Sequence, residues 1–415
     1  MWHMKQFMMT ALLALLPFLP ARAQLEFSDS VRISLLTCSA GPQAFEHFGH
    51  TALRVLDLRQ PQRDVVFHYG VFSFNAPFFI YRFVKGETDY MLGAEWTNGF
   101  VDRYQRDGMG IVEQQLQLDS AQCQDCVERL LVNYRPENRV YRYSFFFDNC
   151  ATRPFRLLNL ATDNVIEYDT TWVSDRTFRD MVQEKTGTNN WLDFGIALSV
   201  ALPAERVATF EEQLFLPSYL YEAIAHAQIP VTIGENSWYM PLVSETVTLL
   251  LLAPETKEKI FAPDPISPNA AFAILVLIAF VITAFEVKER RSSPTRHKME
   301  VLGKSFDTLL LVATGLTGAI VWFLNFLSEH PAVDHNLNCF WLLPTHLIVA
   351  VLIWLKSCQK FCFYYFGITI ALILVYMLLD WNLGQYCPPS FHLLIATLLL
   401  RSFIRLSAPR KQNQA

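Results

Sequence analysis

Five long apolar runs crowd the last third of the chain, at roughly 270–286, 306–327, 340–355, 363–379 and 389–404. They narrow the fold more than anything else in the sequence. A bilayer core of about 30 Å takes about 20 apolar residues in a helix, and a spanning segment must satisfy its backbone polar groups internally. Five transmembrane helices are therefore expected over residues 266–410, the last three at the short end of the range. The Pro-rich link "APDPISPN" (262–269) separates them from what precedes.

Charge orients the spans, because loops rich in Lys and Arg stay in the cytoplasm. Basic residues gather in "EVKERRSSPTRHKMEVLGK" (286–304), "KSCQK" (356–360) and "RSFIRLSAPRKQNQA" (401–415), whereas "SEHPAVDHNLN" (328–338) and "DWNLGQYCPPS" (380–390) have none. That alternation puts the C-terminus in the cytoplasm and everything before 265 on the other side. Residues 1–23 independently read as a signal peptide, an apolar stretch from Phe7 to Leu19 followed by Ala-Arg-Ala before Gln24. The expected protein is a multi-pass component of a bacterial inner membrane with one periplasmic domain, 24–265.

That domain has no repeat or charge block. A formal net charge of −5, without a basic patch and interleaved aromatics, argues against a nucleic-acid partner. Its four cysteines (Cys38, Cys123, Cys126, Cys150) lie in an oxidising compartment, where a Cys38–Cys150 disulfide or a local Cys123–Cys126 bond is conceivable. No second Cys/His pair stands at ligand spacing, so neither a metal nor another cofactor is expected.

"RVYRYSFFFDNC" (139–150) alternates and is aromatic, which predicts a strand, and "TRPFRLLNLA" (152–161) has the apolar spacing of a helix. Asp148, Asn149 or Thr152 suits the helix cap, and Pro154 is tolerated in the first turn. Cys150 then sits at a helix N-terminus, where unpaired amides and the helix dipole favour a thiolate nucleophile and the same amides hold an oxyanion. A thiolate needs a base. His50, opening the alternating segment "HTALRVLD", is the best candidate, facing the same way as Ala52 and Arg54; His47 lines the site instead. His68, on the following segment (63–74), orients His50 if the hairpin centres near Arg59 and faces Arg54 if it centres on Pro61. Asn149, Arg54 and Arg153 are further candidate substrate contacts, the arginines for a phosphate. The apolar "LVSETVTLLLLAP" (242–254) reads as a buried strand or as an acyl groove at the bilayer.

"FGHTALRV" followed about a hundred residues later by "DNCATR", between a signal peptide and a multi-span region, resembles the Lnb family, the lipoprotein N-acyltransferases of Bacteroides and relatives. The order of histidine strand and cysteine helix also resembles permuted papain-like enzymes of the lecithin-retinol acyltransferase and NlpC/P60 types. These likenesses imply an α+β domain, an antiparallel sheet packed on the cysteine-bearing helix, followed by the five-helix membrane domain. They also imply Cys150 as nucleophile, His50 as base and His68 as the orienting group.

Chemistry agrees with acyl transfer. No ATP or coenzyme A reaches the periplasm, so the donor must already be an ester, and membrane phospholipids are the abundant ones there. A Cys150 thioester divides the transfer into two easier steps, and the acceptor is the α-amine of a diacylated lipoprotein's N-terminal cysteine. The alternative is a membrane-anchored cysteine peptidase or amidase acting on cell-wall peptides, since one scaffold serves both chemistries.

Overall fold

The computed structural model describes residues 25–407, apart from 73–74, 76, 234–235 and 293–297. The signal peptide read at 1–23 lies outside the described residues. The N-terminal domain is built on nine strands: β1 (Val31–Cys38), β2 (His50–Asp57), β3 (Asp64–Val71), β4 (Asp89–Trp96), β5 (Ile111–Leu116), β6 (Val140–Arg142), β7 (Gln228–Ile233), β8 (Asn236–Pro241) and β9 (Val243–Leu250). Seven form one sheet in the order β6-β4-β3-β2-β1-β5-β9, every neighbouring pair antiparallel, and β7 and β8 form a separate hairpin.

Both faces of the central strands are covered, which explains why they are apolar at nearly every position. Leu35, Leu53, Val55 and Phe67 pack on one side with α3 (Ser120–Tyr134) and α4 (Thr152–Ala161). Leu36, Ala52 and Val66 pack on the other under α2 (Thr97–Arg106), through Phe100 and Tyr104. Before α2, the short helix α1 (Phe79–Lys85) leads into β4. Cys38, His50, Val71 and Asp89 all lie at one end of the sheet, as the pairings Cys38↔His50 and Val71↔Met91 require.

The aromatic stretch is only in part a strand. β6 stops at Arg142, and Ser144 and Asp148 then exchange backbone bonds at 3.0 Å, closing Phe145–Phe147 into a turn. Tertiary packing overrides strand propensity: Phe146 meets Phe178 and Phe215 at ring distances of 4.9 and 5.2 Å. Such pairs add about 0.5–1.5 kcal/mol each beyond their buried area. The segment at 242–254 supplies β9, an edge strand paired only to β5.

Among the described residues, four helices are long and apolar enough to cross a membrane: α7 (Pro268–Ser292), α8 (Lys298–Leu327), α10 (Gln359–Leu383, extended by a preceding turn from Lys356) and α11 (Pro389–Leu406). The third apolar run does not form a single long helix. It forms a 3-10 turn at Leu337–Phe340 and the seven-residue α9 (His346–Leu352), interrupted at Pro344, which lacks an N–H and clashes with the preceding turn of a helix. This broken segment still runs the length of α8 in the opposite direction, with Leu342 against Gly318, Leu347 against Gly315, and Trp354 Nε1 donating to Thr308 at 2.9 Å. A Cβ on Gly318 would stand 2.6 Å from the Leu342 carbonyl oxygen, so glycine is what permits the approach.

The two loops without basic residues face the N-terminal domain. Ala201 N–H donates to Ala332 at 2.8 Å, Asn336 Nδ2 to Leu198 O at 2.8 Å, and the Tyr386 hydroxyl to Asp193 at 3.1 Å. Phe194 of α6 (Trp191–Ser199) sits between Phe272 and Phe391 of the spans. Arg401 and Arg405, read from sequence as loop charges, are instead buried in α11.

Candidate active site

Asn149 shapes the turn before α4. Its Oδ1 accepts from the amides of Ala151 and Thr152 at 2.8 and 3.0 Å, while its Nδ2 donates to the carbonyls of Phe145 and Phe215. All of its polar capacity is used internally, so Asn149 positions Cys150. Asp148 holds Arg153 in a two-pronged ion pair at 2.9 and 2.7 Å, and the guanidinium of Arg153 lies 3.5 Å from the centre of the Tyr141 ring.

Cys150 is 9% exposed. The backbone amides of Thr51 and of Cys150 itself point at its sulfur, so the nucleophile candidate rests against β2 one residue beyond His50. Those amides favour the thiolate, as a helix N-terminus should, but burial outweighs them and pushes the thiol up to about 11. The Cys38 thiol, also buried, is pushed up to about 12, with Tyr104 hydrogen-bonded to it and Cys150 close enough to be felt. Both are free thiols, as are Cys123 and Cys126.

His50 and His68 meet edge to face, with ring centres 5.5 Å apart. The hairpin register falls between the two anticipated: Ala52 is opposite His68, leaving His50 two residues along the strand, on the same face and toward Gly70. His68 Nε2 reaches Glu95 on β4 at 3.2 Å, and Arg103 of α2 holds the same carboxylate at 2.5 Å. Burial favours the protonated Glu95, but bonds from His68 and Arg103 prevail and hold its carboxyl below the usual range. Burial, then the neighbouring His68 and Arg103, depress the His50 imidazole to about 3, against a smaller opposing pull from Glu95. Its Nε2 is buried without a hydrogen-bond partner among the described residues.

Cys150, His50 and His68 therefore converge at the open end of the sheet, with thiol and imidazole both neutral and no hydrogen bond between them in this state. Three other candidates point elsewhere or are already occupied. Arg54 is paired with Asp64 at 2.7 Å and Glu113 at 2.8 Å. His47 Nε2 lies 3.0 Å from the carbonyl of Lys185, in α5 (Phe178–Thr186). Arg153 is near the site, yet committed to Asp148 and Tyr141. Sequence reasoning missed Glu95 and Arg103, which sit in no motif. It also missed Tyr141 and Tyr143, whose hydroxyls burial pushes upward and which both sense the Cys150 sulfur. The alternation of "RVYRY" was their only trace.

Residues 24–199 match the profile of the Lnb N-terminal periplasmic domain, and residues 257–413 that of the Lnb transmembrane domain. Comparisons with curated proteins and with solved structures give no match. The two profiles take in most of the sequence in the order that the fold requires, a sheet-rich periplasmic domain and then a membrane-spanning one. By both of its domains, this chain belongs to the Lnb family.

Proposed function

We propose that the protein is a lipoprotein N-acyltransferase of the inner membrane, with its C-terminus in the cytoplasm. It moves an acyl chain from a membrane phospholipid through a Cys150 thioester to the α-amine of a lipoprotein's N-terminal cysteine. One observation carries this reading: a buried thiol at a helix N-terminus, met by two backbone amides, rests against the strand residue next to His50, a histidine backed by His68, Glu95 and Arg103.

In the first half-reaction His50 takes the thiol proton as the sulfur attacks the ester carbonyl. The amides of Thr51 and Cys150 are placed for the negative charge that develops. The tetrahedral adduct collapses, the C–O bond to the glycerol breaks, and His50 returns its proton to the departing lysophospholipid. In the second, the acceptor amine attacks the thioester, His50 takes its proton, and the C–S bond breaks to give amide and free thiol. His68 steadies the imidazole and its transient charge through Glu95, the part that the papain-like resemblance assigns to it. A neutral resting pair suits an enzyme acting on lipid, because the thiol stays protected until an ester displaces water from the site.

The test is incubation of the purified full-length protein with phospholipid and no acceptor. A hydroxylamine-labile acyl-thioester on Cys150 and an equivalent of lysophospholipid are expected, both lost in Cys150→Ala. A diacylated lipopeptide should then discharge the thioester to an N-acyl product. Cleavage of wall peptides by Cys150 without any lipid-derived thioester would replace this reading with that of an amidase.

A further inference from the structure

Helix α1 has the wrong surface for a soluble domain. Its cap Phe78 is 82% exposed and Ile80 77%, with Tyr81 and Phe83 also exposed, so four large apolar groups face outward within six residues. The helix is fastened to the end of a span: Tyr81 meets Phe323 with ring centres 6.0 Å apart, Ser328 donates to the Val84 carbonyl at 2.8 Å, and His330 to that of Phe83 at 2.7 Å. Since α8 spans the bilayer, the residues beside its last turn lie at the depth where headgroups give way to hydrocarbon. There an apolar helix surface meets acyl chains, not water.

From α1 an unbroken row of rings leads inward. Phe79 stacks on Phe72 at 5.8 Å, Phe72 on Tyr90 at 4.8 Å, and Tyr90 lies against Tyr143 at 4.5 Å, the tyrosine that senses the Cys150 sulfur. An open cleft follows the outer part of this row, lined by Phe72, Phe79, Phe83 and Tyr90 together with Arg82, Glu87 and Asp89. Its lining offers both apolar rings and charged groups, the two chemistries that a phospholipid combines.

We infer that α1 is seated in the outer leaflet of the membrane and hands a phospholipid acyl chain along the Phe79–Phe72–Tyr90–Tyr143 row to Cys150. The occupant is bilayer lipid, argued from continuity with the end of α8, and the delivery step rests on the acyl-transfer reading above.

The experiment uses the full-length protein in nanodiscs of phosphatidylethanolamine and phosphatidylglycerol, with photoreactive benzoylphenylalanine in place of Ile80 or, as reference, of Leu58. Leu58 is half exposed but follows β2 at the far end of the sheet. Irradiation should give a phospholipid adduct at position 80 and none at 58; no adduct at 80, or equal adducts at both, overturns the seat in the membrane. In the same nanodiscs Ile80→Glu should lower the rate of Cys150 thioester formation about 10-fold or more, because a charge replaces an apolar group that faces lipid, while Ile80→Leu keeps the parent rate. An adduct at 80 with an unimpaired Ile80→Glu would overturn delivery through this helix. Should the parent protein form no thioester at all, the acyl-transfer reading falls, and the crosslink alone still decides where α1 sits.

Discussion

Two clusters of buried polar groups, one in each domain, are built on opposite terms. Between the spans, Arg401 donates to Asp307 at 2.5 Å and to Glu286 at 3.0 Å, and Arg405 donates to the same two carboxylates at 2.5 and 2.9 Å. Arg290 adds a third cation to Glu286 at 2.8 Å, and Gly303 leaves room that any Cβ would fill. Three arginines share two carboxylates there, and removing one partner strands another in a medium that solvates it poorly. At the open end of the sheet the Cys150 thiol and the His50 imidazole are neutral, the His50 Nε2 has no partner among the described residues, and the sulfur is met by two backbone amides. Charge pairing dominates between the spans, where among the described residues one Arg405 nitrogen is left over, and holds the helices together, whereas the pair at the sheet end keeps its bonding capacity for something that arrives. Buried polar atoms without partners are uncommon enough to mark a site when they gather around a thiol.

The comparison breaks first at His50. His50→Ala should slow thioester formation by about 10²–10⁴-fold if the ring moves the proton, with an unchanged yield of monodisperse protein. A loss of folded protein instead would make His50 a structural residue like those between the spans.

Arg401→Leu should do the reverse, lowering stability by about 3–5 kcal/mol by leaving Asp307 and Glu286 underpaired. Chemical denaturation in detergent reads this, and adding Asp307→Asn should recover part of the loss. A neutral Arg401→Leu would show that the network contributes no cohesion.

The thiol sharpens the contrast through pH. At pH 7.5 Cys150 should react with iodoacetamide about 100-fold more slowly than an ordinary thiol, because its ionisation is pushed from 9.0 to about 11. The rate should climb as pH rises toward 11. Alkylation at the speed of a free thiol would mean that the resting pair is ionised. His50 works in the other direction. Its imidazole is depressed from 6.5 to about 3, so between those values the unfolded chain binds a proton that the native protein does not. The stabilising contribution is whole above about 6.5 and is lost as pH falls from there toward 3. His50→Ala should flatten that part of the stability profile.

The smallest effect belongs to Glu95→Gln, about tenfold on thioester formation, since an amide still accepts a bond from His68 but no longer offsets charge on the histidines. A rate equal to the parent's would remove Glu95 from the relay.

Much of this was written in the order of residues along the chain. Apolar length announced four of the spanning helices, and β2 and α4 begin where His50 and Thr152 suggested, because alternation, an Asx turn and a tolerated proline act within a few residues. "GHT" and "NC" located the thiol and its histidine for the same reason, each being a local device at an element's first residue. What only the tertiary structure decided concerns distance and surroundings. The hairpin register turned on a single residue, Gln60, about which β2 and β3 pair. Glu95 and Arg103 entered the site only because β4 lies beside β3 and α2 crosses that face. Arg54, read as a phosphate contact, was claimed by Asp64 of β3 and Glu113 of β5, and Arg401 by carboxylates on two other helices. Even the state of Cys150 could not be read locally: the helix N-terminus argued for a thiolate, and the desolvation that overrides it is a sum over every chain segment packed around the sulfur.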